Sequence, residues 1–349
     1  MVVRETRKST CAGWRGAVLD GFGPAAQRLG PLTQPGTVVL GFDDDQEFHL
    51  NDWSFAQLCR LAGVSKDTLN RLSPETASRA LQETLPPGDK PVQLLTADKS
   101  LRAVHGASYT RLFNVDLLNE VREFATDFQP PQEAAAELTP QANADDVPPW
   151  EDPQPPSRPR GGTGLYCGEQ DMFCFLVDPT GWTEIEGEAF APGFFLWNSE
   201  VGRRSVGIQT FWFQAVCQNH IVWDAIEVVE FTRKHTANVH ESLAEIRRLI
   251  ATLVEKRDQR RDGFVNVIRK AMASKLGDDA DAVMDVLNKH GIVRKLAKEA
   301  TEAAQRQGAL TIFAVADALT RIAGHMVNAG DRTEADQRAS ALLALAAEA

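Results

Sequence analysis

Four apolar runs in the middle of this chain constrain its fold more than any other feature. They read DMFCFLVD, GFFLWN, SVGIQTFWFQAV and IVWDAIEVVEF, and Gly, Pro, Asn or Asp separates them. Short runs of aromatic and β-branched residues between turn formers predict β-strands. Because the runs follow one another closely, we expect an antiparallel meander. Both alternating faces of MFCFLV are apolar, so helices or a partner subunit should cover this strand on both sides.

The segment before these runs predicts short helices and a hairpin. FHLNDWSFAQLCRLAGVSKDTLNRLSPETASRALQETL predicts two or three helices, the last starting at Pro74. PVQLLTADKSLRAV predicts a hairpin that turns at Asp98 and Lys99. Asn114 is predicted to cap a helix that runs to about Phe128.

The segment after the strands is helical to the C-terminus. From Ala237 onward, apolar residues recur every three or four positions. The predicted fold class is therefore α+β, with an antiparallel meander sheet, packed helices, an N-terminal helical segment and a C-terminal helical tail.

Proline content suggests how the chain is divided. Residues 129 to 164 contain half of the 18 prolines and many acidic residues, which predicts a semi-extended linker. The predicted divisions are a variable N-terminal segment (1–40), helices plus hairpin as the first half of the core (41–128), the Pro-rich acidic linker (129–164), the antiparallel sheet and a long basic helix as the second half of the core (165–270), and a C-terminal helical region (271–349).

Composition excludes several classes of protein. With 43% hydrophobic residues, the 349-residue chain is expected to be globular. Its five scattered cysteines predict reduced thiols rather than a disulfide framework. We find no apolar leader and no apolar run of about 20 residues, so we expect a cytoplasmic protein with no membrane partner.

Charge is distributed unevenly along the chain. The formal net charge of −11 argues against a surface that is basic all over. Residues 246 to 270 nevertheless hold eight Lys and Arg against three acidic residues, which predicts a local basic surface on a long helix.

The stretch RLAGVSKDTLNRL, residues 60 to 72, has the apolar spacing of a DNA-reading helix-turn-helix. Gly63 would form the bend between its two helices. Few cations face outward from the second helix, however, and Pro74 follows at once. Any pair of short helices gives the same spacing, so we favour an ordinary helical pair.

We find no motif for catalysis or for a cofactor. Cys217 and His220, followed by His235 and His240, only superficially resemble zinc ligands. In a continuous strand, side chains three residues apart point to opposite faces. We therefore predict no catalytic residue, no metal ion and no cofactor.

The segment FFLWNSEVGRRS is open to two interpretations. It can be hairpin chemistry, in which Asn and Gly form the bend and the arginines protect the sheet edge. It can also be a basic tip that holds single-stranded nucleic acid, with Arg203 and Arg204 on phosphates and aromatic residues stacking on bases.

The blocks DMFCFLVD, GFFLWNSEVGRRSVGIQTFWFQAVCQNHIVW and RKHTANVHESL resemble the signature of the phage/plasmid-related family of unknown function, domain of unknown function 932. The resemblance extends from LRAVHGASYTRL to LTIFAVADALTRIAGHM and covers most of residues 45 to 345. It implies carriage by plasmids, prophages and other mobile elements. A meander followed by a basic helix is also similar to the core of the strand-annealing recombination superfamily, which forms rings on single-stranded DNA.

Our leading expectation is a single-stranded DNA-binding, strand-annealing protein of a phage or plasmid that works as an oligomer. Cations would contact phosphates and an aromatic ring would stack on a base. The expected nucleic-acid-binding residues are Arg102, Tyr109, Arg111, Trp197, Arg203, Arg204, Arg233 and Lys234.

The alternative is a mobile-element enzyme or defence-related factor. Its pocket would lie around Asn198, Glu200 and His220, with Glu200 or His220 as the general base. A satisfied buried network that fixes the strands is the structural interpretation of the same residues. The whole polar cluster comprises Asn198, Ser199, Glu200, Asn219 and His220.

The apolar strands also predict self-association. Each helix between 237 and 345 has one narrow apolar stripe, too little to cover a sheet that is apolar on both faces. We therefore expect a homo-oligomer, in which a second copy of the chain covers what remains.

Overall fold

The computed structural model of the chain describes residues 3–6, 39–41, 47–85, 92–138, 164–215, 219–221, 230–308, 310–326 and 329–348. Two sheets and a helical C-terminal region make up this part of the protein. The strands are β1 (Val3–Thr6), β2 (Val39–Gly41), β3 (Glu47–Leu50), β4 (Val92–Ala97), β5 (Ser100–Gly106), β6 (Leu165–Cys167), β7 (Met172–Val177), β8 (Thr183–Ile185), β9 (Glu188–Asn198), β10 (Val206–Gln214), β11 (Asn219–Ile221) and β12 (Glu230–Arg233). The helices are α1 (Asp52–Ala62), α2 (Lys66–Leu69), α3 (Pro74–Thr84), α4 (Asn114–Phe124), α5 (Pro131–Leu138), α6 (Glu241–Glu255), α7 (Arg257–Ala273), α8 (Ala280–Lys289), α9 (Arg294–Gln307), α10 (Ile312–Ala323), α11 (Ala329–Ser340) and α12 (Leu343–Glu348).

The N-terminal sheet is mixed, in the order β1-β4-β5-β3-β2. Strands β4 and β5 form the predicted hairpin, and Asp98 takes a positive φ of 52° at its turn. Strand β1 pairs with β4 in parallel, and β3 pairs with β5 in parallel. The N-terminal region is thus not only helical as predicted, because strands from the variable segment complete a sheet.

Helices α1 to α3 pack on this sheet through one apolar cluster that includes Leu58, Leu69 and Leu81. The third helix begins at Pro74, as predicted, with the Ser73 side chain as its N-cap. The three predicted helices are therefore confirmed.

The second sheet has seven strands, in the order β11-β10-β9-β7-β6, with β12 also paired to β10 and β8 paired to β9. Every described pairing in it is antiparallel. This arrangement confirms the α+β class and the meander.

Helices of the same chain cover both faces of this sheet. On one face, Cys174 and Ile208 pack with Ile246 of α6, and Trp212 stacks on Phe264 of α7 at 4.0 Å between ring centroids. On the other face, Phe175, Phe195, Phe211 and Phe213 pack with Ala134 of α5, and Gln337 of α11 donates to Gln209. All nine residues of β10 are buried. Within the described residues, helices of the same chain thus cover the apolar faces that motivated the homo-oligomer, and self-association itself stays a prediction.

The long basic helix predicted across residues 246 to 270 is two helices. Helix α6 ends at Glu255, α7 begins at Arg257, and Lys256 lies at the break between them. Two of its eight cations are used inside the protein, and five are exposed. Arg257 pairs with Asp178 at 2.5 Å, and buried Arg260 donates to Thr210.

Two further boundaries differ from the prediction. The proposed linker begins too early, because Gln129 pairs with Val177 and α5 buries Ala134 within that segment. Residues 139–163 of the segment lie outside the described residues. Asn114 does not cap α4, whose N-cap is Phe113, because its side chain is used elsewhere.

The cysteines divide into two kinds. Cys59 and Cys174 are free and buried, and burial raises the pKa of the Cys174 thiol to about 12. Cys167 is disulfide-bonded, so the prediction that all five thiols are reduced is wrong there. A count of cysteines carries no information on which of them meet in space.

None of the described helices combines the length and the apolar character that crossing a bilayer requires.

Candidate nucleic-acid interface

The turn between β9 and β10, Asn198–Gly202, is inside the protein. Its first four residues expose at most 2% of their surface, and Gly202 takes a φ of 73°. The turn connects the seven-stranded sheet with the N-terminal sheet and its helices. We refer to this turn and its contacts as the joint.

Glu200 is the charged centre of the joint. One carboxylate oxygen, Oε2, lies 3.1 Å from Nη1 of Arg102, and Oε1 accepts the main-chain N–H of Asn114 at 2.9 Å. Arg102 also donates to the main-chain oxygen of Glu169. The buried carboxylate is thus both ion-paired and hydrogen-bonded, as a buried charge requires.

Asn198 and Ser199 add neutral hydrogen bonds. The Asn198 amide donates to the carbonyl oxygen of Leu112 at 2.9 Å and to Oδ1 of Asn114 at 2.8 Å. The Ser199 hydroxyl donates to the carbonyl oxygen of Gln170 at 2.5 Å. These bonds fix the turn against two neighbouring loops.

Val201 connects the two sheets directly. Its carbonyl oxygen accepts Nε1–H of Trp53 at 2.8 Å and the Gln57 amide at 3.2 Å, and Nε2 of His105 lies 3.1 Å away. Its side chain packs with Leu95 of the N-terminal sheet. Val201 therefore accepts hydrogen bonds from α1 and also packs into the apolar core beside the N-terminal sheet.

Three rings stack beside this turn. Tyr109 lies 3.7 Å from His105 and 5.2 Å from His235, and its hydroxyl donates to the carbonyl oxygen of Ser199. The pKa of each histidine is lowered to about 4, mainly by burial and in part by the nearby Arg111 guanidinium. Both histidines are therefore neutral at physiological pH.

The arginines after the turn are ion-paired. Arg203 contacts the side chains of Gln170 and Asp171, and Arg204 pairs with Asp171 at 3.1 Å and Glu334 at 3.7 Å. A phosphate would have to compete with these carboxylates for the same donors.

The other predicted contact residues are mostly unavailable to a ligand. Arg233 pairs with Glu241 at 2.9 Å, and Trp197 and Arg111 expose only 9% and 5% of their surface. Lys234 is exposed. Stacking of a base on Trp197 or Tyr109 would require the joint to open.

The structure divides the predicted polar cluster. Asn198, at the end of β9, lies near the start of β10, whereas Asn219 and His220 pair with Gln214 and Phe213 at the end of β10. A nine-residue strand separates the two ends by about 27 Å. The two groups therefore cannot form one site.

No group of three or more His, Cys, Asp or Glu side chains in the described part of the chain could hold a metal ion. Cys217 lies outside the described residues, so the superficial zinc pattern is only partly described. His235 is buried in the joint, and His240 is exposed.

A basic surface lies in the C-terminal region instead. Residues 289 to 298, KHGIVRKLAK, contain four Lys and Arg and no acidic residue. All four cations are exposed, as are His290 and Val293. We refer to Lys289, His290, Val293, Arg294, Lys295 and Lys298 as the α9 patch.

The α9 patch is little neutralised by neighbouring acids. Lys298 lies 3.9 Å from Glu302, and both side chains are more than half exposed, so solvent screens the pair. Within the described residues, Lys289, Arg294 and Lys295 form no ion pair. The patch is therefore the positive surface that the joint does not offer.

Sequence reasoning missed this patch although a signal was present. Ten successive residues without Asp or Glu, four of them Lys or Arg, stand out in a chain of net charge −11. Of the eight cations in residues 246 to 270, the fold buries Arg260 and pairs Arg257 with buried Asp178. The exposed cations there are Arg247, Arg248, Lys256, Arg269 and Lys270, and acidic residues lie among them along the chain.

Residues 179–343 match the family described as a domain of unknown function, DUF932. The match contains the Asn198–Gly202 turn and the α9 patch. It is shorter than the resemblance seen in the sequence, because it leaves out the N-terminal sheet, its helices and β7. No match was found among curated proteins or solved structures.

Proposed function

We propose that this protein binds nucleic acid and that the α9 patch is its contact surface. The observation that carries the proposal is the exposed, acid-free segment 289–298 in a chain that is otherwise acidic. Cations on phosphates release condensed counterions, which drives binding to DNA and RNA. Acidic surface elsewhere would disfavour other orientations of the ligand.

Nucleic acid stays the proposed ligand, as the sequence predicted. The proposed contact surface is now the α9 patch instead of the β9–β10 turn. Single-strand preference was expected from Tyr109 and Trp197. Tyr109 belongs to the joint, and Trp197 is buried in the aromatic cluster of the seven-stranded sheet. Strand annealing, assembly into an oligomer and association with phages or plasmids stay predictions. Light scattering behind size exclusion measures the oligomeric state directly.

Fluorescence anisotropy with labelled 30-nucleotide single strands and 30-bp duplexes tests the proposal at several salt concentrations. The variant Arg294→Ala/Lys295→Ala/Lys298→Ala should lose up to three phosphate contacts. The slope of log K against log salt is negative, and each lost contact reduces its magnitude by about 0.7 on single strands and about 0.9 on duplexes.

A matched control removes three cations from the region of helices α1 and α2. Arg60→Ala/Lys66→Ala/Arg71→Ala makes the same change in net charge and should leave binding unchanged. Equal loss in both triple variants would show a dependence on net charge rather than on the patch. No binding of either probe at low salt would overturn the proposal.

The enzymatic alternative loses its geometric basis. Glu200 is fully engaged in the joint, and His220 lies at the other end of β10. A groove of about 230 Å³ between α4 and α6 is lined mainly by apolar residues, and it contains neither residue. The geometry favours the structural role of the polar turn.

A further inference from the structure

We propose that α8 and α9 form a helix-turn-helix element that reads duplex DNA, with the first two turns of α9 in the major groove. This inference rests on the proposed nucleic-acid binding by the α9 patch and names its ligand. Helix-turn-helix proteins use the N-terminal residues of the second helix to contact base edges.

The turn has the length and the glycine that are common in such an element: four residues, 290–293, separate the two helices. Gly291 takes a φ of 74°, its N–H donates to the carbonyl of Asn288, and the N–H of Ile292 donates to the carbonyl of Leu287. This pair of bonds is a Schellman motif, which ends one helix and redirects the chain. Buried Ile292 and Leu287 belong to the same core cluster and hold the two helices together.

Helix α9 is suited to enter a groove. Its 14 residues span about 21 Å, and its inner face carries the small side chains Ala297, Ala300 and Ala304, all buried. The outer face of its first two turns is exposed and carries Arg294, Lys295 and Lys298, with Glu299 next to Lys298 in the second turn. The major groove, about 12 Å wide, admits one helix.

The start of α9 breaks the usual rules for a stable helix. Its N-cap is Val293, which makes no side-chain capping bond, and its first turn contains no acidic residue. Arg294 and Lys295 instead place two cations where the helix dipole disfavours them. A local rule broken without structural compensation is expected at functional sites.

The exposed chemistry favours duplex over single-stranded DNA. Lys and Arg can donate to guanine O6 and N7, and Val293, 66% exposed, can contact a thymine methyl group. Single-strand binding relies on aromatic stacking platforms. The large apolar residues exposed in the described part of the chain are Leu61, Leu72, Val293 and Met326, and none is aromatic.

Acidic residues limit the size of the contact. Asp281 and Asp285 are exposed on the first turns of α8, and Glu299 and Glu302 are exposed in the middle of α9. Phosphates near these carboxylates would be repelled. The contact is therefore confined to the end of α8, the turn and the start of α9, which suits one major-groove half-site.

Selection from a random 30-bp duplex pool tests the inference, with a random single-stranded pool of equal length as the competing probe. We expect at least tenfold tighter binding of the duplex and enrichment of a short motif. Lys295→Gln and Val293→Ala should change the preferred base at one position each. The Arg60→Ala/Lys66→Ala/Arg71→Ala variant should select the same motif as the unmodified protein.

The outcomes separate the two proposals. Duplex binding through the patch without an enriched motif would overturn base reading and keep nucleic-acid binding. Preference for the single-stranded pool would also overturn the inference alone. Binding that the Arg294→Ala/Lys295→Ala/Lys298→Ala variant retains in full would overturn both, as would no binding of either pool at low salt. Circular dichroism of each variant establishes that it is folded.

Discussion

Within the described residues, a helix–glycine–helix turn with both Schellman bonds occurs at Gly63 and at Gly291, and the two copies are used differently. Gly63 takes a φ of 68° after α1, and Gly291 takes a φ of 74° after α8; each begins a Schellman motif. At the first copy, Ser65 caps α2 and Asp67 lies in its first turn. At the second, Val293 caps α9 and Arg294 and Lys295 follow.

The difference follows from what each pair of helices contacts. Helix α1 supplies Trp53 and Gln57 to the joint, and α2 is a single turn. The first copy is therefore optimised for stability and has no outer face long enough to read a groove. In the second copy, α9 has no side-chain capping bond and no acidic residue in its first turn, and its outer face is long and exposed. Similar backbone turns thus serve architecture in one place and, we propose, recognition in the other.

The largest effect expected from a single substitution tests the architectural copy through the joint. Glu200→Ala leaves the Arg102 guanidinium and the Asn114 N–H without their carboxylate, so we expect the free energy of unfolding to fall by about 3 kcal/mol. Urea denaturation measures it. DNA binding by the folded fraction should not change.

Glu169→Ala is the matched control, since Arg102 uses only the main-chain oxygen of that exposed residue. An equal loss of stability in both variants would contradict the assigned role of Glu200.

Acid should weaken the joint. The pKa of His105 and of His235 is about 4 in the folded protein and about 6.5 when unfolded. The unfolded chain therefore binds more protons between these values, and stability falls as pH falls from about 6.5 to about 4. We expect a loss on the order of 2–4 kcal/mol per histidine, measured by thermal unfolding across pH.

His105→Gln should make this pH dependence weaker by about half, whereas His290→Gln, at an exposed position, should leave it unchanged. A profile that is flat from pH 7 to pH 5 in the unmodified protein would refute the explanation.

The sequence predicted local structure well and long-range contacts poorly. Strand periodicity placed β7, β9 and β10, and turn residues placed the β4–β5 hairpin. The joint was not predictable, because Val201 meets Trp53 across 148 residues and Asn198 meets Asn114 across 84. Asn114 was assigned to a local cap since a sequence shows only near neighbours.

The two glycines should respond alike to substitution. A Cβ added at Gly63 or at Gly291 would have no other atom within 4 Å, so alanine would cost only backbone strain. We expect Gly63→Ala and Gly291→Ala each to lower the free energy of unfolding by about 1–2 kcal/mol. Denaturant titration checks both. Gly106→Ala is the control, because φ is negative at Gly106 and its surroundings are open. If this control lowered the free energy of unfolding by as much as the other two substitutions, backbone strain would not be the cause.

The smallest expected effects come from adding a capping side chain at the start of α9 and removing one at the start of α2. Val293→Ser should stabilise the protein by about 1 kcal/mol, because the serine would accept an N–H at the start of α9. Ser65→Ala should destabilise it by a similar amount at the start of α2. Thermal unfolding of the two variants measures the gain and the loss of stability. Destabilisation by Val293→Ser would show that α9 begins as it does for structural reasons.

The joint also has a consequence in time, during synthesis of the chain. The N-terminal sheet leaves the ribosome with the Trp53 and Gln57 donors and the apolar Leu95 surface unmatched, because Val201 is made 148 residues after Trp53. At about 5–20 residues per second, this delay lasts roughly 7–30 s. The nascent N-terminal unit must therefore wait for the β9–β10 turn, and throughout that interval it is exposed to chaperones and proteases.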